Sequence, residues 1–166
     1  SATARHYGAD IAADALRRLF SSRYGDRIEA TLVGDGAHFA EFEDSFGSDA
    51  RVTIRRGYVS QEELADLHRS HGLFLVPSRL DTQGVSRDEA MSSGLVPLTN
   101  SVAAIPEFID SSCGVLAPPD DASALAAGAL RIMDDPQAFS RMSEAASLRV
   151  RRQSGYSFTI DKEIAM

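Results

Sequence analysis

Asp81 and Glu89 are two acidic residues whose spacing suggests chemistry, and Gly84 lies between them. A carboxylate accepts hydrogen bonds from vicinal hydroxyl groups, including those of a ribose. The segment formed by Gly84, Val85 and Ser86 stands where a short helix is expected to begin. The free N–H groups of a helix N-terminus, together with the helix dipole, bind anions such as phosphate. The segment therefore offers a phosphate site between two carboxylates.

Arg79 and Arg87 flank this segment, and their guanidinium groups could donate charge-assisted hydrogen bonds to a bound phosphate. A purely structural interpretation fits the same residues. Ser86 and Glu89 match a capping-box pattern, in which Glu89 would bond the N–H groups of its own helix. Asp81 would then stabilise a turn. The residue types alone leave both interpretations open.

The elements on either side must position this segment. The apolar run at residues 73–76 predicts a strand that is buried on both faces and ends just ahead of Arg79. Further strands are expected at residues 28–33, 51–54, 95–98 and 114–117. Helices are expected at residues 8–20, 39–46, 60–71, 84–93, 105–109, 120–133 and 136–153.

Strands and helices thus alternate along the chain with short connections. This order predicts an α/β fold with a doubly wound, Rossmann-like parallel sheet and helices on both faces. The 166 residues fit one domain, residues 1–166, with a less apolar tail at 154–166. Ligands of such a sheet bind beyond the carboxyl ends of its strands, and Gly84 follows one of those ends.

Composition excludes several classes of protein. Hydrophobic residues make up 43% and charged residues 25%, which argues against a disordered tail or a coiled coil. The net charge of −7 argues against nucleic acid or anionic lipid held by overall charge. Cys113 is the only cysteine, which rules out an internal disulfide and indicates a reducing, cytoplasmic compartment. The sequence shows no apolar run long enough to span a bilayer and no recognisable signal peptide.

Three familiar site motifs are incomplete. The turn at residues 34–36 is followed by Phe39 where a dinucleotide-binding fingerprint needs a third glycine. A phosphate-binding P-loop needs a lysine, and the only lysine is Lys162. His68 and His71 are interpreted as part of a solvated helix face rather than as metal ligands. No metal site is therefore expected.

The central segment carries a longer pattern that is specific to one family. Its residues are Pro77, Ser78, Asp81, Gly84, Glu89, Ala90, Met91 and Gly94. The pattern resembles the signature of the family 4 (group 1) retaining glycosyltransferases, which carry two acidic residues, usually both Glu, at this spacing. Weaker agreement extends the resemblance from about residue 31 to residue 133, at residues 32–36, 57–59, 63–64, 105–107 and 113–118.

The resemblance implies roles for individual residues. Glu89 would hold the ribose hydroxyls of a sugar nucleotide, and Asp81 would contact the transferred sugar. The backbone at residues 84–86 would hold the diphosphate, and Arg5 is the candidate for a basic diphosphate ligand. The chain has no lysine at the phosphate position where the family usually has one, so His6 or an arginine would substitute.

A nearby loop is implied to contact the nucleotide base, and two features depart from the family. Tyr58 and Val59 would border the base. Asp81 is one methylene shorter than the usual Glu. Ala103 and Ala104 stand where the family often has two glycines.

The implied architecture is GT-B, in which two Rossmann-like domains face each other across a cleft, and this chain is similar to the C-terminal, donor-binding half. The complete enzyme would move a sugar from a UDP- or GDP-linked donor to an acceptor hydroxyl in cell-surface polysaccharide or glycoconjugate synthesis. The resemblance implies no cofactor, an N-terminal acceptor domain in the same protein, and peripheral association with the inner membrane face. The isolated chain is expected to transfer nothing. A non-catalytic nucleotide-sugar-binding module and a sugar-nucleotide epimerase of the same architecture stay open as alternatives.

Overall fold

The computed structural model describes residues 8–80 and 84–154, apart from the side chains of residues 37, 38 and 154. Arg5, His6 and Asp81 lie outside the described residues, as does nearly all of the tail expected at 154–166. Within the described ranges, strands and helices alternate along the chain and every strand pairing is parallel. The predicted α/β class is confirmed.

The strands of the described residues form two parallel ladders. They are β1 (Ala30–Gly34), β2 (Val52–Arg56), β3 (Leu73–Leu75), β4 (Val96–Asn100) and β5 (Val115–Ala117). β1 pairs with β2, while β4 lies between β3 and β5. The register places Leu98 opposite both Leu75 and Val115.

Seven helices and one short 3-10 helix (Gly25–Arg27) connect these strands in the described ranges. They are α1 (Ala9–Phe20), α2 (Ala37–Phe46), α3 (Gln61–Ser70), α4 (Val85–Ser92), α5 (Ile105–Phe108), α6 (Ala122–Asp134) and α7 (Pro136–Ser154). Ser60 and Glu63 form a capping box at the start of α3, the helix predicted at residues 60–71. Asp121 caps α6, with its Oδ1 accepting the N–H of Ala124 at 2.8 Å. None of the described helices combines the length and the apolar composition needed to cross a bilayer.

Apolar clusters cover both faces of the three-stranded ladder. The first cluster packs α1 and α6 on β4 and β5, with Val115 and Ala117 facing it. The second cluster joins α4, α5 and α7, with Leu116 facing it. Because side chains alternate along a strand, this split of β5 shows that helices lie on both faces of the ladder. The doubly wound arrangement predicted from the sequence is confirmed there.

Burial of the strands differs from the prediction. Residues 73–76 were expected to be buried on both faces, but all three residues of β3 are half-buried. All five residues of β4 are buried instead, including Thr99 and Asn100. β4 is paired on both sides, whereas β3 lies at the edge of its ladder within the described residues. The position of a strand in the ladder, central for β4 and at the edge for β3, therefore decides its burial more than its apolar composition does.

The two-stranded ladder is attached through aromatic and arginine contacts. Phe46 of α2 meets Phe20 of α1 edge to face, with 6.1 Å between ring centroids. The Arg51 guanidinium lies 4.0 Å from the Phe20 ring centroid. Its Nη1 donates to the backbone oxygens of Phe20 (3.3 Å) and Gly25 (3.2 Å). Arg51, the residue just before β2, therefore connects this ladder to the end of α1.

The two histidines of α3 and its C-cap do not lie on a solvated face, so that interpretation is wrong. His68 is buried, and its ring meets Phe74 of β3 edge to face at 6.3 Å between centroids. Its Nδ1 lies 3.5 Å from Ser93 Oγ. His71 is half-buried, with Nε2 at 3.0 Å from Thr31 Oγ1 of β1. The two residues face the strands because α3 packs with this side inward.

Candidate functional site

α4 follows the carboxyl end of β3 and exposes backbone N–H groups at its start. Its N-cap is Gly84, and its first intrahelical hydrogen bond runs from the Asp88 N–H to the Gly84 oxygen at 2.9 Å. Val85 is 60% exposed, and Ser86 is also exposed. The N–H groups of Val85 and Ser86 have no hydrogen-bond partner among the described residues. Two donors at the positive end of the helix dipole are therefore available to an anion.

Gly84 is required by both conformation and packing. Its φ of +58° lies in the left-handed region, which a residue with a Cβ adopts at a cost. A Cβ built there would lie 2.1 Å from Nη2 of Arg87. Any side chain at this position would displace the guanidinium beneath it. Its predicted role, close approach of a diphosphate to the backbone, stays a prediction.

Glu89 is the fifth residue of α4, and its carboxylate does not cap the helix. The helix begins at Gly84 with no side-chain cap, so the capping-box interpretation of Ser86 and Glu89 is wrong. The backbone oxygen of Glu89 accepts from Ser92 Oγ (2.7 Å) and Ser93 Oγ (3.2 Å). Its carboxylate has no hydrogen-bond partner among the described residues. This half-buried carboxylate is therefore free to accept hydrogen bonds from a ligand.

The buried ring of His68 interacts electrostatically with this carboxylate. Burial lowers the pKa of His68, and this effect outweighs the Glu89 carboxylate, which raises it. The ring is therefore mainly neutral at physiological pH. The neutral imidazole of His68 therefore forms no ion pair with the Glu89 carboxylate.

Arg87, predicted to flank the phosphate, is turned inward beneath the start of α4. The residue is only 2% exposed. Its Nε and Nη2 each lie 3.0 Å from Asp88 Oδ1, and its guanidinium lies 4.8 Å from the Phe108 ring centroid. A buried cation at a helix N-terminus is opposed by the dipole, and the Asp88 carboxylate offsets this in part. The structure thus places the charge of Arg87 behind the exposed N–H groups.

Arg79, the other predicted flanking residue, is engaged by two carboxylates. Its Nη1 and Nη2 each donate to the Asp10 carboxylate at 2.8 Å. Its Nε donates to Asp120 Oδ1 at 2.5 Å. These bonds lower the pKa of Asp10 below its ordinary value. Arg79 therefore connects the first turn of α1 with the turn that precedes α6.

Exposed apolar side chains lie at or beyond the carboxyl ends of β1, β2 and β3. Tyr58, which follows β2, is 89% exposed, and its neighbour Val59 is half-buried. Val33 at the end of β1 and Leu80 after β3 are also exposed. The other large exposed apolar residues in the described ranges are Val85 at the start of α4 and Leu148 in α7.

Two buried polar residues lie at the carboxyl ends of β3 and β4. Asn100 was not singled out from the sequence, whereas Ser78 belongs to the central pattern. Asn100, the last residue of β4, is fully buried, and its Nδ2 donates to the Pro118 oxygen at 2.7 Å. Ser78 is buried after β3, and its Oγ accepts the N–H of Leu80 at 3.2 Å. The signal that could have found Asn100 is a polar residue soon after the apolar run at residues 95–98.

Comparison with known proteins identifies the family. A parallel ladder with helices on both faces and a free helix N-terminus at its carboxyl edge defines a Rossmann-like domain. The family model "Glycosyl transferases group 1" matches residues 2–135. The chain belongs to the group 1 glycosyltransferases, as the central pattern predicted.

The curated relatives are transferases and synthases from bacteria. The chain is 28% identical over 145 residues to alpha-D-kanosaminyltransferase of Streptomyces kanamyceticus, covering 85% of this chain and 36% of that protein. It is 32% identical over 134 residues to the amylovoran biosynthesis glycosyltransferase AmsK of Erwinia amylovora, covering 75% and 32%. It is 31% identical over 147 residues to glycogen synthase of Mycobacterium tuberculosis, covering 86% and 35%. The chain thus spans about a third of the length of these relatives.

Solved structures confirm the fold. Anabaena HepE in complex with UDP and glucose superposes with a TM-score of 0.77 at 19% identity, covering 92% of this chain and 42% of that one. The C-terminal domain of the group 1 glycosyltransferase LpcC from Francisella tularensis superposes with a TM-score of 0.74 at 16% identity, covering 91% and 81%. The fold is therefore the Rossmann-like fold found in GT-B glycosyltransferases.

Proposed function

We propose that this chain is the C-terminal, donor-binding domain of a retaining glycosyltransferase and that it binds a UDP- or GDP-linked sugar at the start of α4. The observation that carries this proposal is the pairing of two unpartnered N–H groups, on Val85 and Ser86, with an unengaged carboxylate on Glu89. A nucleoside diphosphate needs donors for its phosphates and an acceptor for its ribose hydroxyls. Among the solved relatives, HepE is described in complex with UDP and glucose.

The chemical task of the site is to stabilise the charge that develops on the departing diphosphate. The N–H groups of Val85 and Ser86 are fixed before the reaction, so they need little reorganisation as the charge grows. The buried guanidinium of Arg87 adds positive potential behind them. Positive charge on the sugar ring would be favoured by a carboxylate, for which Asp81 is the proposed residue. No metal is required by this arrangement.

The remaining parts of the donor fit the residues around α4. Glu89 would accept hydrogen bonds from both ribose hydroxyls because its carboxylate is otherwise unengaged. Tyr58, at 89% exposure, presents a ring on which a nucleotide base could stack, with Val59 beside it. Arg5 stays a proposed diphosphate ligand. These roles rest on the family pattern together with the geometry of α4.

The proposal extends to the whole protein. Since this chain spans about a third of its relatives' length, we place an acceptor domain elsewhere in the same protein. The isolated chain then binds donor but transfers nothing, because half of the cleft is missing. AmsK is named for amylovoran biosynthesis, which supports a role in polysaccharide or glycoconjugate synthesis. Association with the inner membrane face stays a proposal.

The test is a calorimetric titration of this chain with UDP, GDP and ADP. The chain should bind UDP or GDP, and Glu89→Ala should weaken that binding by about 1–3 kcal/mol, the range for a lost charge-assisted hydrogen bond. Glu144→Ala is the matched control, since Glu144 is an exposed glutamate of α7. It should leave binding unchanged. The thermal midpoint of Glu89→Ala should stay close to that of the parent because the carboxylate caps nothing.

Two results would overturn the proposal. One is a chain that binds none of the three nucleotides. The other is a Glu89→Ala variant that binds as tightly as the parent. Sugar transfer by the isolated chain would contradict only the claim that half of the cleft is missing.

A further inference from the structure

Arg79 joins three segments that are far apart in sequence. Its guanidinium makes a bidentate pair with Asp10 in the first turn of α1, at 2.8 Å for both hydrogen bonds. Its Nε donates to Asp120 in the turn between β5 and α6 at 2.5 Å. Arg79 itself lies in the segment that leaves β3 and leads to α4. All three segments meet at the edge where the donor is proposed to bind.

The α1 side of this junction is closely packed without the arginine. Gly8, at the start of α1, has a φ of +59°, and a Cβ there would lie 2.7 Å from the oxygen of Pro77. The start of α1 therefore touches the backbone that follows β3. Ser78, the next residue, is buried. The Arg79–Asp10 pair fastens a contact that the backbone already makes.

The β5–α6 side is also anchored. Asp120 has a φ of +59°, in the left-handed region. The turn around it is held by Asn100 Nδ2, which donates to the Pro118 oxygen at 2.7 Å, and by the Asp121 N–H, which donates to the same oxygen at 3.2 Å. Asp120 is thus presented to Arg79 from a turn that is fixed to β4 and to the start of α6. A non-glycine residue in this conformation persists only where its surroundings hold it.

We propose that Arg79 is a positioning residue of the donor site, which holds residues 76–80 after β3 through Asp10 and Asp120 and does not itself bind the diphosphate. The inference rests on the proposed function, since it names what positions that site. A planar guanidinium with a fork of donors suits this task, because it bonds two carboxylates in fixed directions at once. The depressed pKa of Asp10 agrees with a carboxylate held in its charged form by this pair.

The opposite hypothesis is that Arg79 leaves the carboxylates to grip the diphosphate, and the two hypotheses predict changes of opposite sign. If Asp10 and Asp120 hold the segment, Asp10→Asn and Asp120→Asn should weaken UDP binding by about three- to tenfold. If the carboxylates merely compete with a phosphate for Arg79, removing either one should tighten binding. Asp14→Asn is the control, because this substitution removes the same charge from α1. Asp14 pairs with Arg18 and not with Arg79.

Two further variants of Arg79 test the clamp, the name used here for the bonds of Arg79 to Asp10 and Asp120, and separate it from a general effect on folding. Arg79→Met should weaken UDP binding about tenfold or more, and Arg79→Lys should weaken it less, since lysine keeps the charge but loses the fork. Adding Asp120→Asn to Arg79→Met should cause no further loss, because both changes break the same bond. Amide hydrogen exchange should rise at residues 76–80 and 118–121 in Arg79→Met.

The outcomes are decisive for the clamp and separable from those for the proposed function. Tighter UDP binding by Asp10→Asn or Asp120→Asn, beyond the change in Asp14→Asn, would overturn the clamp and make Arg79 a ligand. Unchanged amide exchange in Arg79→Met would also overturn it. If the parent chain bound no nucleotide, the proposed function would fail, while the exchange measurement would still decide whether Arg79 holds the two segments.

Discussion

The two ladders of the molecule are packed differently. We call β3, β4 and β5 with α4 to α7 the three-strand half, and β1 and β2 with α2 and α3 the two-strand half. Every residue of β4 is buried between two apolar clusters. In contrast, the strands of the two-strand half contain only half-buried and exposed residues. Arginine and aromatic contacts attach that half to α1. The main one is Arg51, whose guanidinium packs on the Phe20 ring and donates to the Phe20 oxygen.

The difference in packing matches the location of the strained backbone positions. Among the described residues, Ala103 and Asp120 are the non-glycine residues with left-handed φ, at +47° and +59°. Both lie in loops after strands of the three-strand half. A firmly packed ladder can hold such loops in place. The same half carries the start of α4, whereas the two-strand half presents the exposed Tyr58. We infer that the proposed phosphate site is fixed and that the proposed base contact at Tyr58 is more adaptable.

The largest expected effect is the loss of a leucine from β4. Leu98→Ala should lower the free energy of unfolding by about 2–5 kcal/mol, because a fully buried side chain leaves a cavity. Leu32→Ala in β1 is the matched change in the two-strand half, where Leu32 is half-buried. It should cost less than half as much. Chemical denaturation measures both, and equal losses would show that the two halves are packed alike.

A smaller effect should follow the loss of Arg51, which attaches the two-strand half. Arg51→Met removes its bonds to Asp49 and to two backbone oxygens, so it should cost about 1–2 kcal/mol of unfolding free energy. Arg56→Met breaks only the exposed pair with Glu43 and should cost less than about 1 kcal/mol. Amide exchange should rise in β1 and β2 of Arg51→Met but not in β4. A uniform rise across both ladders would contradict separate attachment.

A gain in stability is expected where the three-strand half holds strain. Ala103→Gly should raise the unfolding free energy by about 0.5–1 kcal/mol, because glycine adopts a left-handed φ without a Cβ penalty. Ala127→Gly, at an exposed position inside α6, should lower it by a similar amount, about 1 kcal/mol. A loss of stability in both variants would show that Ala103 is not strained.

The smallest effect is a pH dependence at the junction of the two halves. Burial lowers the pKa of His68 below its ordinary value of 6.5. The Glu89 carboxylate raises this pKa and His71 lowers it further, but both effects are smaller than that of burial. Below pH 6.5 the unfolded chain therefore takes up a proton that the folded chain does not, and stability falls as the pH drops toward the folded pKa. His68→Phe should flatten this part of the stability profile. An unchanged slope in the variant would show that His68 does not contribute to it.

Local signals in the sequence predicted the elements well, because each is encoded by neighbouring residues. Ser60 and Glu63 fix the start of α3, Asp121 fixes that of α6, and Gly94 with its φ of +86° follows α4. The order of the elements and the group 1 family pattern then follow from alternation and from the segment around Gly84.

What the sequence could not show depends on residues that are distant in the chain. The partners of Arg79 lie 69 and 41 positions away, and no local pattern pairs them. The inward turn of Arg87 depends on Phe108 of α5. The capping-box pattern of Ser86 and Glu89 was ambiguous because Gly84, two residues earlier, already begins the helix.

The most direct test of the central claim is an NMR titration of this chain, labelled with ¹⁵N, with UDP and separately with uridine. The proposed site predicts saturable shifts of the Val85 and Ser86 amide resonances with UDP and much smaller shifts with uridine, because these N–H groups are proposed to bind the diphosphate, which uridine lacks. Saturation by UDP that leaves both amide resonances in place would contradict the account.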